Sequence, residues 1–513
     1  MDTVFDCVIP YIHDRNDRNS VSLVTRKWYE IDCMSRKHVT VHLFYAPAPS
    51  RLVQRFPFLE SLTLKGFPYD IDFPHKSGVD ISPWIKEIGV KFECLKALHI
   101  RGLVIHDSDL KLLARTRGKD LHVLKIYNCE GFSEKGLMHI SKRCNDLRTL
   151  CLENNYLVGK ERGKWLHELA LCNTSIELFH FRFHCNKYDV KDLALLVKNC
   201  SQSLVSLKIS PCFISDLAEA FRHAVRLEDF AGADFGKNRE HVGFKFPPNM
   251  RCLGMYDLPR TSFSFVLPLV NQLLELNLIC IDLDAECQCF LIKSCPNLEV
   301  LCTQDVCGDL GLQVIGQFCK RLRKLTYIFG SGTHVGLIAL AQGCSNLEYL
   351  HVELANTSNE AMECIGTNLK NLRNFRISAI KDQDEVTTYL PLDNGIQAML
   401  IGCIKLERLN IHLCRGDLTD MGMGYIGQCG NNLRFLSLTC IGESDAGLLE
   451  LSKGCPKLRK LEMRSCPFSE QAVASFVFNI HSLRYIWVPG AGHTVLALTR
   501  PNVELLDVGR TYW

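Results

Sequence analysis

Cysteine is the residue type in this chain with the widest chemical repertoire, because a thiolate can attack a substrate, bind a metal or form a disulfide. The chain has 26 cysteines among 513 residues. None of them stands in a C-x-x-C pair, and Cys287 and Cys289 are the most closely spaced, so the sequence lacks a strong zinc motif. Eight instead precede the same leucine pattern, and we expect these to be reduced, buried and placed at helix ends: Cys144, Cys200, Cys295, Cys319, Cys344, Cys403, Cys429 and Cys455.

Catalytic motifs are absent from the sequence. We find no G-x-x-x-x-G-K-[ST], H-E-x-x-H or G-x-S-x-G. Asp, His and Ser residues are spread along the chain without a catalytic spacing. We therefore expect no catalytic residue, no metal site and a protein that is not an enzyme.

Basic residues, in contrast, recur at fixed places in the leucine pattern. Positions three, five and seven of each L-x-x-L-x-L segment alternate with the leucines, so they should share the concave face of a sheet. Arginine binds carboxylates and phosphates bidentately, and a concave surface reduces screening, so this face predicts a site for a carboxylate or polyphosphate, with ordinary solvated charge as the alternative. The positions hold ten basic residues against six acidic ones: Lys65, Arg101, Lys125, Arg182, Lys208, Lys324, Arg376, Arg408, Lys460 and Arg464 against Glu153, Asp229, Glu275, Glu353, Glu462 and Asp507.

The leucine pattern itself defines the architecture. It starts eighteen times between residues 59 and 503, with a spacing of about 26 residues, inside the range of leucine-rich repeats. Segments such as 135–144 and 446–455 have helical apolar spacing between the strands. We predict an α/β leucine-rich-repeat solenoid, a horseshoe of about eighteen repeats over residues 45–513.

Two repeats are longer than the others, from 59 to 95 and from 372 to 406. Extra residues in a solenoid usually form loops, often on the binding face. We predict such loops at 66–84 and 379–395, with passive insertion as the alternative.

Residues 1–44 do not follow the repeat and predict an all-α head. Helical spacing runs from Val4 to Ile12, and a polar turn at 13–19 precedes a second helix over 20–31, with Ser20 as its N-cap. Because a head of this size cannot bury a large core, its apolar face should contact a partner or the repeats. That face is formed by Val21, Leu23, Val24 and Trp28.

Charge and hydropathy exclude other classes. Lys plus Arg number 59 and Asp plus Glu number 56, a balance that does not favour nucleic-acid or membrane-surface binding. No apolar run approaches the roughly eighteen residues of a membrane span, and the first residues do not have the pattern of a signal peptide.

The head and the array together resemble a known family. Residues 17–31, D-R-N-S-V-S-L-V-x-x-x-W-Y-x-I, are similar to an F-box, although the usual L-P-x-E opening is missing. Six further stretches resemble the plant coronatine-insensitive proteins, the jasmonate co-receptors, more closely than the related auxin receptors: 55–66, 164–175, 390–395, 424–428, 442–448 and 458–470.

This resemblance implies a substrate receptor of an SCF-type ubiquitin ligase. A Skp-type adaptor and a cullin would be its partners, and Val21, Leu23, Val24 and Trp28 would contact the adaptor. The receptor would recruit a ZIM-domain repressor under jasmonoyl-isoleucine, in the nucleus and also in the cytoplasm. The alternatives are a hormone-independent or altered-ligand F-box paralogue and a plain repeat scaffold whose head does not bind the adaptor.

The resemblance also implies site residues. Arg376 would link hormone and inositol polyphosphate, Arg464 and Phe73 would line the hormone and degron pocket, and the polyphosphate would be held by Lys65, Arg101, Lys324, Arg376 and Lys460.

The same pocket departs from the family pattern at several positions. Tyr69 and Thr326 stand where the family has arginines, Glu353 and His412 where it has tyrosines, and Phe435 where it has a tryptophan. A lost charge-assisted hydrogen bond costs about 1.5–3 kcal/mol. We therefore predict that jasmonoyl-isoleucine binds more weakly than in a receptor with the full arginine set.

Overall fold

The computed structural model describes residues 8–12, 15–43, 49–66, 79–159, 163–183, 188–236, 243–279, 285–304, 306–379, 390–488 and 504–506. The chain divides into two compact units, Met1–Met250 and Arg251–Trp513. Across the described ranges, each helix is too short or too polar to cross a bilayer.

The head forms helices at other places than the sequence predicts. A 3-10 helix, Ile9–Tyr11, precedes α-helices Arg15–Val21 and Arg26–Ser35. The predicted turn at 13–19 is therefore partly helical, and the predicted helix over 20–31 is interrupted at residues 22–25. Ser20 is not the cap; Thr25 is, because its Oγ1 accepts a hydrogen bond from Trp28 N at 3.1 Å.

A buried carboxylate holds the two head helices together. Asp32 is fully buried, and its carboxylate accepts hydrogen bonds from Arg18 Nε at 2.8 Å and from Arg36 Nη2 at 2.8 Å. Arg18 Nη2 also donates to Ser35 Oγ at 2.6 Å. Since a buried charge is tolerated only when it is paired, these bonds fix the angle between the helices.

The first unit is a ladder of parallel strands with a helix after most of them. The ladder strands are His38–His42, Ser61–Lys65, Ala97–Arg101, Val123–Tyr127, Thr149–Asn155, Leu178–Phe183, Ser206–Phe213 and Asp229–Asp234. A separate pair joins Val79–Asp80 to Leu103–Val104. The helices outside the head are Pro49–Arg55, Ser82–Lys91, Asp107–Arg117, Glu134–Arg143, Lys164–Cys172, Val190–Asn199 and Ala218–His223, with a 3-10 turn at Ile214–Leu217.

The second unit repeats this arrangement. Its strands are Cys252–Asp257, Glu275–Leu278, Val300–Thr303, Lys324–Tyr327, Tyr349–Leu354, Asn374–Ala379, Arg408–His412, Phe435–Thr439, Lys460–Arg464, Tyr485–Trp487 and Glu504–Leu506. The helices are Phe263–Val266, Ala285–Lys293, Gly308–Phe318, His334–Gly343, Asn359–Asn368, Asp393–Gly402, Asp420–Cys429, Asp445–Leu451 and Glu470–Asn479, with 3-10 turns at Arg260–Ser262 and Leu267–Leu269.

The α/β leucine-rich-repeat solenoid is therefore confirmed, and each predicted start lies one or two residues before a strand. The repeat leucines are buried in register; Leu350, for example, pairs with Phe375 on the next strand, and both are inaccessible to solvent. The sequence pattern did not indicate the short separate pair, Val79–Asp80 and Leu103–Val104, and it missed one strand of the ladder. That strand, His38–His42, lies inside the region 1–44 predicted to be all-α and pairs in parallel with Ser61–Lys65. Its H-V-T-V-H sequence has valines in place of the leucines, so the period was not visible.

The helix-ending cysteines connect neighbouring repeats. Of the eight predicted to be buried, all are except Cys429, which is half-buried. The Cys344 thiol donates to Ile315 O at 3.6 Å and Cys319 O at 3.5 Å, two carbonyls of the preceding repeat. Burial raises the pKa of the Cys344 thiol to about 12, so it stays protonated. In the repeat of Cys429, the buried C-cap of the helix is Gly430 and not the cysteine, which is the last residue of the helix.

Aspartates connect neighbouring repeats at the N-terminal ends of the helices, whereas the cysteines do so at the C-terminal ends. The carboxylate of Asp393 accepts hydrogen bonds from Thr419 N at 3.0 Å and Thr419 Oγ1 at 2.6 Å, and Thr419 is the N-cap of the next helix. Gly422 must lack a side chain there, because a Cβ would lie 2.3 Å from Asp393 Oδ1. The same contact to a Ser or Thr cap is made by Asp107, Asp309, Asp420 and Asp445.

Replacing Asp393 by alanine removes both bonds to Thr419, the residue that caps the next helix. We expect the free energy of unfolding to fall by about 2–3 kcal/mol, because hydrogen bonds to a charged group are the stronger kind. Urea denaturation followed by circular dichroism measures this change. Asp146→Ala, at an exposed turn, is the control and should change stability by less than about 0.5 kcal/mol; equal effects of both substitutions would contradict the capping role.

Candidate binding site

Most of the predicted pocket residues of the second unit lie on one face of its sheet. Parallel register aligns Glu353 with Ser378 and then with His412, and His412 is aligned through Thr439 with Arg464. A second row on that face runs through the strands in the order Thr326, His351, Arg376, Asn410, Ser437, Glu462 and Trp487. The strands position these side chains because every second residue of a strand faces the same way.

His412 lies at the centre of the predicted pocket cluster. Its Nδ1 is 3.3 Å from Ser378 Oγ. Burial lowers the pKa of His412, the charges of Arg376 and Arg464 lower it further, and Glu353 opposes them. A neutral imidazole adds no positive charge to the cluster and avoids repulsion with the two arginines.

Arg376 is the most available cation of this cluster. Its side chain is exposed and makes no hydrogen bond or ion pair with the part of the chain that the structure describes. Burial and the charge of Arg376 lower the pKa of neighbouring His351 to about 4, so His351 is neutral at pH 7. The Arg376 guanidinium therefore faces two uncharged histidines and can form a bidentate contact with a carboxylate or phosphate.

Glu353 has a structural contact that the sequence did not indicate. Its Oε2 accepts a hydrogen bond from Phe329 N at 2.9 Å, and its Oε1 lies 3.7 Å from His351 Nε2. Phe329 has a positive φ of 52° and a side chain that is 68% exposed. Bulky residues rarely adopt this conformation, and strain of this kind is concentrated at binding sites.

Phe329 is thus a candidate site residue that sequence reasoning missed. Other strand ends with a positive φ carry smaller residues: Gly102, Asn128, Asn154, Cys440 and Ser465. The sequence offers only a local signal, the F-G-S-G turn that begins one residue after strand Lys324–Tyr327.

Aromatic rings hold three of the other predicted cations. Arg408 Cζ lies 4.2 Å and Lys460 Nζ 5.3 Å from the Phe435 ring centre, so the phenylalanine in place of the expected tryptophan still provides a cation–π surface. Arg464 Cζ lies 4.4 Å from the Trp487 ring centre. Lys460 Nζ is also paired with Glu462 at 2.6 Å.

The five predicted polyphosphate residues are only partly brought together. In the first unit, Lys65 and Arg101 are direct register partners on neighbouring strands. In the second unit, Lys324, Arg376 and Lys460 share one face, but the strands of Lys324 and Lys460 are five steps apart, about 24 Å along the sheet at the usual strand spacing. Tyr69 and Phe73 lie outside the described residues, as do most of the two predicted long loops.

The head exposes an apolar surface that includes part of the predicted adaptor site. Leu23 is 83% and Val24 60% exposed, whereas Val21 and Trp28 are half-buried. Tyr11 and Met34 add further exposed apolar area. No group of three or more potential metal ligands occurs within the described ranges, which include Cys287 and Cys289 but not residues 280–284.

Known proteins resemble this chain both at the head and along the repeats. Residues 1–38 match the F-box family model. The chain is 42% identical over 536 residues to coronatine-insensitive protein 1 of Arabidopsis thaliana, covering 99% of this chain and 90% of the relative. It is 40% identical over 533 residues to coronatine-insensitive protein homolog 2 of Oryza sativa subsp. indica, covering 98% and 90%. Homolog 1b of Oryza sativa subsp. japonica is 42% identical over 523 residues, covering 97% and 87%.

The depressed pKa of His351 predicts a pH dependence of stability. The folded pKa of about 4 lies below the ordinary 6.5, so the unfolded chain binds a proton between these values that the folded chain does not. Stability should therefore fall as the pH drops from about 6.5 to about 4, by at most about 3 kcal/mol from this group.

Thermal denaturation of a His351→Gln variant at pH 7 and pH 5 tests this assignment. We expect a smaller loss of stability at pH 5 than in the native chain. His481→Gln, at an exposed turn of the same unit, should keep the native pH dependence. A native pH dependence in His351→Gln would show that His351 is not the titrating group.

Proposed function

This chain belongs to the coronatine-insensitive protein family, and we propose that it is an F-box substrate receptor of an SCF-type ubiquitin ligase in jasmonate signalling. In this role it does no chemistry itself. The head binds a Skp-type adaptor and through it a cullin, and the repeat array binds a protein that the ligase then modifies. The observation that carries the proposal is the combination of an F-box head with exposed Leu23 and Val24 and an array 42% identical to a coronatine-insensitive protein along its length.

The head supports adaptor binding through its exposed surface. An apolar patch on a small helical unit is costly in water unless a partner covers it. Leu23 and Val24 lie between helices Arg15–Val21 and Arg26–Ser35, whose mutual angle is held by Asp32. A rigid pair of helices with a protruding apolar turn suits a helical partner surface.

We expect Leu23→Asp to abolish capture of a Skp-type adaptor, with at least a tenfold loss of affinity, because the charge would be buried in the interface. Biolayer interferometry with immobilised adaptor measures this. Since Leu23 is 83% exposed, the melting temperature should not change. Val90→Asp is the matched control, since Val90 is 73% exposed on a repeat helix. An adaptor that ignores the native chain would instead favour the plain repeat scaffold.

The substrate in this proposal is a ZIM-domain repressor, held under jasmonoyl-isoleucine or a related small acid. Arg376 supplies a guanidinium for the acid that has no partner among the described residues, and Arg464, three strands further along the same face, stacks on Trp487. Phe329, held by Glu353, offers an exposed aromatic contact to a peptide at the end of the strands. A transcriptional repressor as substrate places the activity in the nucleus.

An inositol polyphosphate is proposed as the structural cofactor of the same site. Arg376 and Arg408 are the exposed cations of the second unit nearest the pocket, and both retain donors that no acidic side chain in the described ranges occupies. Polyphosphate would neutralise positive charges that otherwise repel one another across neighbouring strands.

The departures from the family pattern favour an altered ligand as the second candidate function. Thr326 offers a hydroxyl where an arginine is expected, and Glu353 places an acid close to Arg376. Both changes weaken the binding of a carboxylate. An F-box paralogue that recognises another small acid, or none, fits these residues.

Hormone-dependent capture of a ZIM-domain repressor distinguishes the two candidates. We expect weak capture by the native chain with jasmonoyl-isoleucine and strong capture by the triple variant Tyr69→Arg, Thr326→Arg, Glu353→Tyr, since each added arginine can restore about 1.5–3 kcal/mol. Pulldown over a hormone titration gives the midpoint. Thr439→Arg adds a cation on the same face without matching the pattern and should restore nothing. Strong capture by the native chain would refute the predicted loss of affinity.

A further inference from the structure

A cavity of about 580 Å³ lies inside the first unit, where the head meets the first repeats. Helices Arg15–Val21 and Arg26–Ser35 form one wall, and strands His38–His42 and Ser61–Lys65 form the other. This volume is typical of sites for small molecules. None of the residues on its walls belongs to the predicted pocket or to the predicted adaptor surface.

The walls of this cavity are positively charged. Arg18, Arg36, Lys37 and Arg55 line it, together with His38, and no acidic side chain of the described residues does. Hydroxyl groups, which can donate to an anion, also line it. Two carboxylates behind the wall compensate three of the cations: Asp32 is shared by Arg18 and Arg36, and Glu60 pairs with Lys37 at 3.1 Å. The cavity therefore keeps an excess of positive charge.

Arg55 is the cation of this cavity that no carboxylate of the described residues pairs with. It lies at the end of helix Pro49–Arg55, and its Cζ is 4.8 Å from the Tyr29 ring centre and 4.9 Å from the Phe56 ring centre. Its Nε is buried and has no hydrogen-bond partner among the residues that the structure describes. Two aromatic rings thus hold the guanidinium in place while its donors remain unused, and a buried unused donor is costly.

We propose that this cavity binds a small phosphate-bearing anion, with Arg55 as its principal ligand. A polyphosphate matches the planar donors of arginine and can accept hydrogen bonds from the remaining N–H groups of Arg18 and Arg36. It also fits the volume of the cavity. Because the walls come from the head and from the repeats, the anion would hold helix Arg26–Ser35 against strand His38–His42. The site thereby sets how firmly the F-box head is attached to the first repeats.

Isothermal titration calorimetry of the full chain with inorganic tripolyphosphate at low salt tests the proposal. We expect saturable binding that Arg55→Met weakens at least tenfold, because methionine keeps the packing between Tyr29 and Phe56 but removes the charge. Arg51→Met, one helical turn earlier and exposed, is the matched control and should bind like the native chain. Lys37→Gln, a second wall substitution, should weaken binding several-fold if Arg55→Met does not fold.

Arg376→Gln separates this cavity from the polyphosphate site proposed on the sheet face of the second unit. It should leave the Arg55-dependent binding intact. Hydrogen exchange of residues 26–42 should slow on addition of tripolyphosphate in the native chain and not in Arg55→Met. Three results would overturn the proposal: no binding, equal affinities of Arg55→Met and Arg51→Met, or binding lost in Arg376→Gln alone.

Discussion

Hydrogen bonds between successive repeats hold each unit of this protein together, because neighbouring repeats satisfy part of each other's helix ends. The N-terminal amides of a helix have no partner within it, and neither do its C-terminal carbonyls. Asp309, in the preceding repeat, supplies the acceptor: its Oδ1 accepts hydrogen bonds from Thr333 N at 2.6 Å and from the helical amide Gly336 N at 3.0 Å. Cys344 supplies a donor to the C-terminal carbonyls of the preceding helix by donating to Ile315 O and Cys319 O. Sequence-distant contacts of this kind make each repeat stable only beside its neighbours.

Because the leucine core and the bonds at the helix ends stabilise the repeats, the open face of the sheet is available for binding. Leucines and phenylalanines of the strands fill the core, and the helix ends are satisfied along the repeat edges, so the outward rows of the sheet are not needed for folding. Arg376 can therefore remain without a partner among the described residues, and His351 and His412 can remain neutral beside it. Phe329 is the exception, since its strained turn is held by Glu353 and must be stabilised by the surrounding repeats.

The head follows a different principle, because two short helices cannot bury enough apolar surface to be stable alone. Buried charges replace the missing core: Asp32 joins Arg18 to Arg36, and Arg55 stacks on Tyr29 and Phe56. Removing one member of such a network costs more than the pair contributes, so the head depends on all of them. The apolar residues that a core would have used, such as Leu23 and Val24, are free to face a partner.

The sequence by itself determined the repeat, its length, the positions of nearly every strand and the family, because leucine spacing and helix-ending cysteines recur once per repeat. It also placed Arg376, Glu353, His412 and Arg464 on one face, since strand alternation is a local property. Tertiary structure alone decided the rest. Asp32 is paired with arginines fourteen and four residues away, Phe329 is held by an acid twenty-four residues later, and Arg55 lies between two aromatic rings from separate segments. Strand His38–His42 is defined by its partner Ser61–Lys65 rather than by its own residues. These features depend on which side chains meet in space, and no periodicity along the chain encodes that.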